Sequence, residues 1–369
     1  MTDDEAVYDD FYDDDFCLTN GLVGEALAIP SASPKNFFQA ISDTDAMPRQ
    51  NLWGKLFLPD GAGRSGGAGG AGQPGQPGGA GQPGRSGGAG QSGRSGQPSR
   101  LDEPGPYPVV IIAPGSLGLQ KHHISYAAEL TDAGIAACAI DPFGNRGVIS
   151  TVENQAQYSF AASAWDVLAT AELLAARPEI DATRIGAQGH SRGGSAVLNA
   201  ASVHLAAASG APKLVGVYAA YPWSGHQFVD PAVGGTRVRA IIGDLDDWCS
   251  PTQVQAHIHA MRVGGGDATV RIVPDARHSF DRTTPLEHMP DAAVAPGAPT
   301  LYINDDGAFI LPTSDEPDPE LVDLDGFLYA FNAGYAVRGA HIGGSPELAP
   351  LFVEDMMAFW TGVMGLGRR

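Results

Sequence analysis

Gly189-His190-Ser191-Arg192-Gly193 places a serine at the centre of a G-x-S-x-G run. Such a run holds the hydroxyl on a tight strand-to-helix turn, exposed above the strand ends. A serine hydroxyl is a weak nucleophile at neutral pH, so the chemistry needs further parts. An imidazole with an ordinary pKa near 6.5 can take its proton and later return it to a leaving group. A buried carboxylate must hold that imidazole in one tautomer. Two N–H donors must face the oxygen that becomes negative. His278, in Pro274-Asp275-Ala276-Arg277-His278-Ser279-Phe280, is the expected base. Asp244, Asp246 and Asp247 compete for the acid. Asp246, three residues after Gly243, is preferred, and Asp247 comes second. The backbone N–H of Arg192 is one expected oxyanion donor, because it directly follows the nucleophile. Ser116, in Pro114-Gly115-Ser116-Leu117-Gly118, is the other, with Leu117 in reserve. Phe143, Tyr158, Trp223 and Trp248, together with Leu117, are expected to line an apolar substrate pocket.

These residues need a frame that brings them together. The apolar run Pro108–Ala113 reads as a strand buried on both faces, and Ile135–Ile140, Leu214–Ala220, Val238–Ile242 and Thr269–Val273 read as further strands. Helical patterns fall between them, over 121–133, 153–176 and from the elbow to about Ala208. A further strand is expected from Asn51 to Leu58, and an amphipathic helix closes the chain over 348–364. Alternation of this kind predicts an α/β fold, a mostly parallel central sheet with helices on both faces. In open sheets of that kind functional groups gather at the carboxyl ends of strands. Asp246 and His278 both stand just past predicted strand ends. The order Ser, Asp, His along the chain is that of α/β-hydrolases. Other histidines sit less well. His122 and His123 begin a helix, and His190 lies inside the elbow. His257 and His259 are two apart on a helix and face different sides, so no metal is expected.

The composition narrows the partners. The formal net charge of -20 argues against nucleic acid and against anionic membranes. Eight of the acids fall within the first fifteen residues, and 1–20 reads as an acidic disordered tail. Residues 21–369 read as a single domain with two interruptions. One is a Gly-rich insertion at 61–105, in which Gly-Ala-Gly-Gln-Pro-Gly recurs. It cannot bury a core, and its place between predicted strands suggests an overgrown hairpin loop. The other is an irregular excursion over 285–345, rich in Pro, Asp and Gly. No apolar run is long enough to span a bilayer, and no secretory signal is recognisable at the N-terminus. Cys17, Cys138 and Cys249 form neither a metal spacing nor a disulfide framework, so a reducing cytoplasm is expected.

Taken together, these stretches resemble dienelactone hydrolase-type α/β-hydrolases. The resemblance rests on Val109 to Gly118, on Asp141-Pro142-Phe143-Gly144-Asn145-Arg146-Gly147, and on Arg177 through the elbow. It rests also on Gly243 to Trp248 and on His278-Ser279-Phe280-Asp281. It implies hydrolysis of a small-molecule carboxylic ester or lactone through an acyl-enzyme, without metal or organic cofactor. Ser191 stands where dienelactone hydrolases proper carry a cysteine, which moves the expectation toward a general serine esterase. Pro114-Gly115 is similar to the oxyanion loop of bacterial cutinases, so a bulky or polymeric ester is an alternative. Acyl transfer through the same triad, or a binding protein that keeps the fold, are further alternatives.

Overall fold

The structure, a computed structural model, describes residues 9–59 and 106–366. Thirteen strands and eight α-helices fall within those residues. The chain enters through β1 (Glu25–Ala32), α1 (Phe37–Ser42) and β2 (Arg49–Phe57). Alternation then begins: β3 (Tyr107–Ala113), α2 (Lys121–Asp132), β4 (Ala136–Asp141), α3 (Phe160–Ala175) and β5 (Ile180–His190). It continues through α4 (Arg192–Ala200), α5 (Val203–Ser209), β6 (Gly216–Ala220), β7 (His226–Phe228) and β8 (Arg237–Gly243). The last part holds α6 (Pro251–Val263), β9 (Ala268–Val273), β10 (Glu287–Val294), β11 (Leu301–Ile303) and β12 (Phe309–Ile310). It ends in α7 (Asp323–Asn332), β13 (Val337–Ile342) and α8 (Leu348–Val363).

Eight strands form one sheet in the order β1-β2-β4-β3-β5-β6-β8-β9. From β4 to β9 every neighbour is parallel, while β1 and β2 add an antiparallel edge. The inner strands read as they do because both faces are covered. Val109, Val110, Ile111 and Ile112 of β3 are all fully buried. Helices start where side chains satisfy open N–H groups. Ser159 caps α3, and Ser250 caps α6 with Pro251 in its first turn. Among the described residues no helix is long and apolar enough to cross a membrane.

Helix α8 is fastened to the sheet by Phe352, Met356 and Trp360, all buried, and by one carboxylate. Asp355 accepts from Arg239 on β8 at 3.0 and 2.5 Å, from Arg271 on β9 at 2.8 Å and from the Tyr218 hydroxyl on β6 at 3.1 Å. Burial pushes this carboxyl up, but the hydrogen bonds from Arg239 and Arg271 outweigh it and hold it below its usual range. Asp355→Ala is expected to cost about 2–3 kcal/mol. That is below the full cost of breaking a buried pair, because both arginines are partly solvated. Urea unfolding followed by circular dichroism measures it, and a loss under about 0.5 kcal/mol, the level of an ordinary surface substitution, would show that α8 is held by its apolar face alone.

Four expectations change against the structure. Residues 9–20 are not a solvated tail. Phe11, Phe16 and Leu18 are buried, and Phe11 packs edge-on against Phe16 and Trp53. Beneath them the fully buried Lys55 places its ammonium 5.5, 5.3 and 5.6 Å from the Phe11, Phe16 and Trp53 rings and donates to the Asp13 carbonyl. The tail expected over residues 1–8 lies outside the described residues, as does the Gly-rich insertion. The strands that flank that insertion are not hairpin partners, because β4 lies between β2 and β3. The stretch 285–345 is not irregular. β10 pairs antiparallel with β13, β11 joins β7 and β12, and α7 lies between them. Finally, the long helices are shorter than their patterns: α3 begins at Phe160, and the helix after the elbow breaks between α4 and α5 at Ala201-Ser202.

Candidate active site

The elbow joins β5 directly to α4. Ser191 sits between them at φ 55, ψ -114, with its N–H donating to the Ala220 carbonyl at 2.9 Å. This positive φ is strained for a residue with a side chain. The crossing is close enough to need glycine on both sides. A Cβ on Gly189 would overlap the Gly193 carbonyl, and one on Gly193 would overlap the Ala113 carbonyl.

The three residues expected to act together do meet. Ser191 Oγ lies 2.9 Å from His278 Nε2, and His278 Nδ1 lies 2.9 Å from Asp246 Oδ2. Asp246 is held on its other side as well, where Oδ1 accepts the Trp248 and Cys249 N–H groups at 2.9 and 2.8 Å. An ionised carboxylate so placed requires the proton on Nδ1, leaving the Nε2 lone pair to face the serine. Trp248 stacks on the imidazole at 5.0 Å and Tyr221 stands T-shaped to it at 4.9 Å, which together fix the ring plane. Of the competing acids, Asp244 is exposed. Asp247 turns away, accepting from the His341 ring at 2.6 Å and from Arg277 at 3.0 Å.

The loop after β3 reaches Ser191. A Cβ placed on Gly115 would stand 3.3 Å from Ser191 Cβ, and Ser116, Ser191 and Arg192 line one cavity of about 350 Å³. Trp223 and Trp248 line it too. Leu117 instead borders a small adjoining recess, shared with Ser191 and His278. Phe143 and Tyr158 do not line this cavity. They pack on each other at 5.6 Å in a separate buried cluster. The Tyr158 hydroxyl donates to Asp166, whose carboxylate also pairs with Arg146 at 2.8 Å, so this tyrosine braces the interior. Nearness to a strand end says nothing of which way a ring points.

One residue near the cavity carried no pattern in the sequence. Gln155, in a short turn ahead of α3, donates through Nε2 to Ser116 Oγ at 3.1 Å and accepts from Arg192 Nη1 at 2.9 Å. The Arg192 side chain is buried, donates to the Tyr158 carbonyl and lies 4.1 Å over the Phe160 ring. Burial lowers its pKa to about 10. Nearby, Asp323 at the start of α7 accepts the Phe160 N–H at 2.8 Å, and burial raises its carboxyl to about 6.

His122, His123 and His190 bring ring nitrogens within 4.8 Å of one another, a spacing that a transition metal can use. The hydrogen bonds do not suit a metal. Gln120 N–H donates to His123 Nδ1 at 2.9 Å, so the neutral ring carries its proton on Nε2. Trp360 donates to Gln188 Oε1 at 2.8 Å, which turns the Gln188 amide nitrogen toward His190 Nε2 at 3.1 Å. His190 Nδ1–H is then left for the Tyr221 hydroxyl at 3.0 Å. The path continues to Asp281, which accepts from Tyr126 at 2.6 Å and lies beside Tyr221. The Arg282 cation acts on all three rings. The residues fit a neutral polar network, in which the buried His123 Nε2 has no hydrogen-bond partner among the described residues.

These buried imidazoles predict an acid-sensitive fold. Burial, aided by Arg282 or Arg192, lowers His190 and His226 to about 3, and burial lowers His257 to about 4. His122 and His123 lie well below their ordinary value, again chiefly from burial. The unfolded chain takes up these protons near pH 6.5, while the folded chain does so only at much lower pH. Protons therefore favour unfolding as the pH falls through 6.5, by roughly 1.4 kcal/mol per pH unit for each such group. A melting temperature that drops by several degrees between about pH 7.5 and 5.5 is expected, and an unchanged one would contradict it.

The parallel sheet, the strained serine at its centre and the imidazole and carboxylate beyond two strand ends define an α/β-hydrolase. The model of the dienelactone hydrolase family matches residues 96–296, and the chain belongs to that family. No curated protein matches the chain. Among solved structures it is similar to a putative dienelactone hydrolase from Klebsiella pneumoniae subsp. pneumoniae MGH 78578. That likeness has 16% identity and a TM-score of 0.45, covering 70% of this chain and 89% of the other. A dienelactone hydrolase-like promiscuous phosphotriesterase from metagenomic libraries is 16% identical at a TM-score of 0.43, over 84% and 95% of the two chains. A hyperthermophilic esterase from the archaeon Pyrobaculum calidifontis is 12% identical at a TM-score of 0.42, over 70% and 76%.

Proposed function

We propose that this hydrolase cleaves carboxylic esters through Ser191, His278 and Asp246. The observation that carries the reading is the unbroken line Ser191 Oγ, His278 Nε2, His278 Nδ1 and Asp246 Oδ2, with 2.9 Å at both links. In it, Ser191 Oγ attacks the ester carbonyl carbon as its proton passes to His278 Nε2. The carbonyl oxygen becomes negative and is met by the backbone N–H groups of Arg192 and Ser116. The C–O bond to the alcohol breaks, and the alcohol leaves with the proton from His278. A water then gives a proton to His278, attacks the acyl-serine, and the acid departs as Oγ regains its proton.

Gln155 acts in this scheme as a positioning residue, since it joins the side chains of both residues whose N–H groups serve the oxyanion. Gln155→Ala is expected to lower kcat about tenfold with little change in KM, below the loss of a whole oxyanion donor. Gln155→Glu keeps the acceptor for Arg192 but loses the donor to Ser116, so it is expected to fall between the two. Equal losses in kcat and affinity would instead mark Gln155 as a plain wall residue.

A fluorophosphonate probe tests the reading itself. It should label the folded protein at one serine, and p-nitrophenyl esters should be turned over. A folded protein that is neither labelled nor active on esters would overturn it.

A further inference from the structure

We infer that the ester taken here carries a long, uncharged apolar arm, whose inner part fills the cavity beside Ser191 and whose outer part lies along α7. The inference rests on the esterase reading above and extends it to a substrate class.

An amphipathic helix ordinarily turns its apolar stripe toward the core. In α7 only Asp323, Gly326 and Ala330 are buried. Leu324, Leu328 and Phe331, at i, i+4 and i+7, are 48%, 48% and 70% exposed. Val337, just past the helix, is 51% exposed. All four nevertheless border the cavity that ends at Ser191 and Trp223. The rim of the site thus carries an apolar strip beside the exposed Glu153, Asn154 and Arg338, and that strip is continuous with the cavity. A contiguous exposed apolar surface joined to a cavity marks a ligand groove.

The charges of the lining do not select an ionised arm. At the rim the exposed Arg338 donates to the Glu153 and Asp291 carbonyls, so a cation and the Glu153 residue stand together, and inside the cavity Arg192 donates to Gln155 and to the Tyr158 carbonyl. His226 stays neutral, and Glu153 would repel a carboxylate. An arm long enough to leave the cavity meets leucine and phenylalanine.

The test compares p-nitrophenyl esters from acetyl to dodecanoyl, and acetates of alcohols of matching length, all kept monomeric. On one of the two series kcat/KM is expected to rise by up to about fourfold per methylene buried, and which series rises tells whether the arm is acyl or alcohol. Leu328→Asn and Phe331→Ser, checked for folding by circular dichroism, are expected to lower the ratio of decanoyl to butanoyl kcat/KM about fivefold. A flat or falling profile past butanoyl in both series overturns the inference, as does an unchanged ratio in both variants. With Ser191 still labelled by the fluorophosphonate, either outcome leaves the esterase reading standing. Loss of labelling and of all ester turnover removes that reading instead.

Discussion

Ser191→Ala is expected to lower ester hydrolysis by about 10⁵- to 10⁶-fold and to abolish labelling by a fluorophosphonate. The size of the loss follows from the site's economy of parts. Among the described residues, Ser191 Oγ is the one hydroxyl hydrogen-bonded to His278. Cys249 lies close to Asp246, but burial and that carboxylate raise its thiol well above the usual range, so it offers no thiolate. The residual rate would come from the oxyanion donors and the cavity acting on water. The fold should persist, because alanine keeps the backbone and the Ala220 hydrogen bond. A variant that keeps more than about a hundredth of wild-type activity would place the nucleophile elsewhere.

Asp246→Asn is expected to lower kcat by about 10⁴-fold through a change of tautomer. Oδ1 accepts two backbone N–H groups and Oδ2 one imidazole N–H. Asparagine has one carbonyl oxygen for these two sides. If the oxygen keeps the backbone pair, its NH₂ faces His278 Nδ1, which must then be the acceptor. The imidazole proton moves to Nε2, and the serine loses its base. Asp247→Asn is the control. That carboxylate holds His341 and Arg277 rather than His278, so a loss under about tenfold is expected. Equal losses in the two variants, measured as kcat with the same ester, would refute the assignment.

The residues that meet at the site were legible in the sequence wherever a local rule governs them. The elbow needs glycine at 189 and 193 because two backbones touch there. Asp246 follows the inner strand β8 and His278 the edge strand β9, and the carboxyl ends of parallel strands lie along one side of the sheet. Where contacts come from afar, the sequence is silent. Aspartates dominate residues 9–20, yet the three apolar side chains among them decide their place, because Lys55 needs cover. β10 and β13 lie more than forty residues apart, and nothing local announces their pairing. Gln155 has no pattern at all, since a glutamine in a turn becomes meaningful only once its two partners are known. Phe143 and Tyr158 were placed by chain position, whereas the buried Asp166 dictates where Tyr158 points.

The hydrogen-bonded path from Trp360 through Gln188 and His190 to Tyr221 has an evolutionary consequence. Each link has one donor side and one acceptor side, so the path has a direction. Exchange of a single member sets donor against donor, or leaves a buried group unmet, one residue from Ser191. Drift among related chains should therefore change these positions in concert or leave them alone. A recombined enzyme that takes its elbow from one parent and its last helix from another should inherit a mismatch at Gln188.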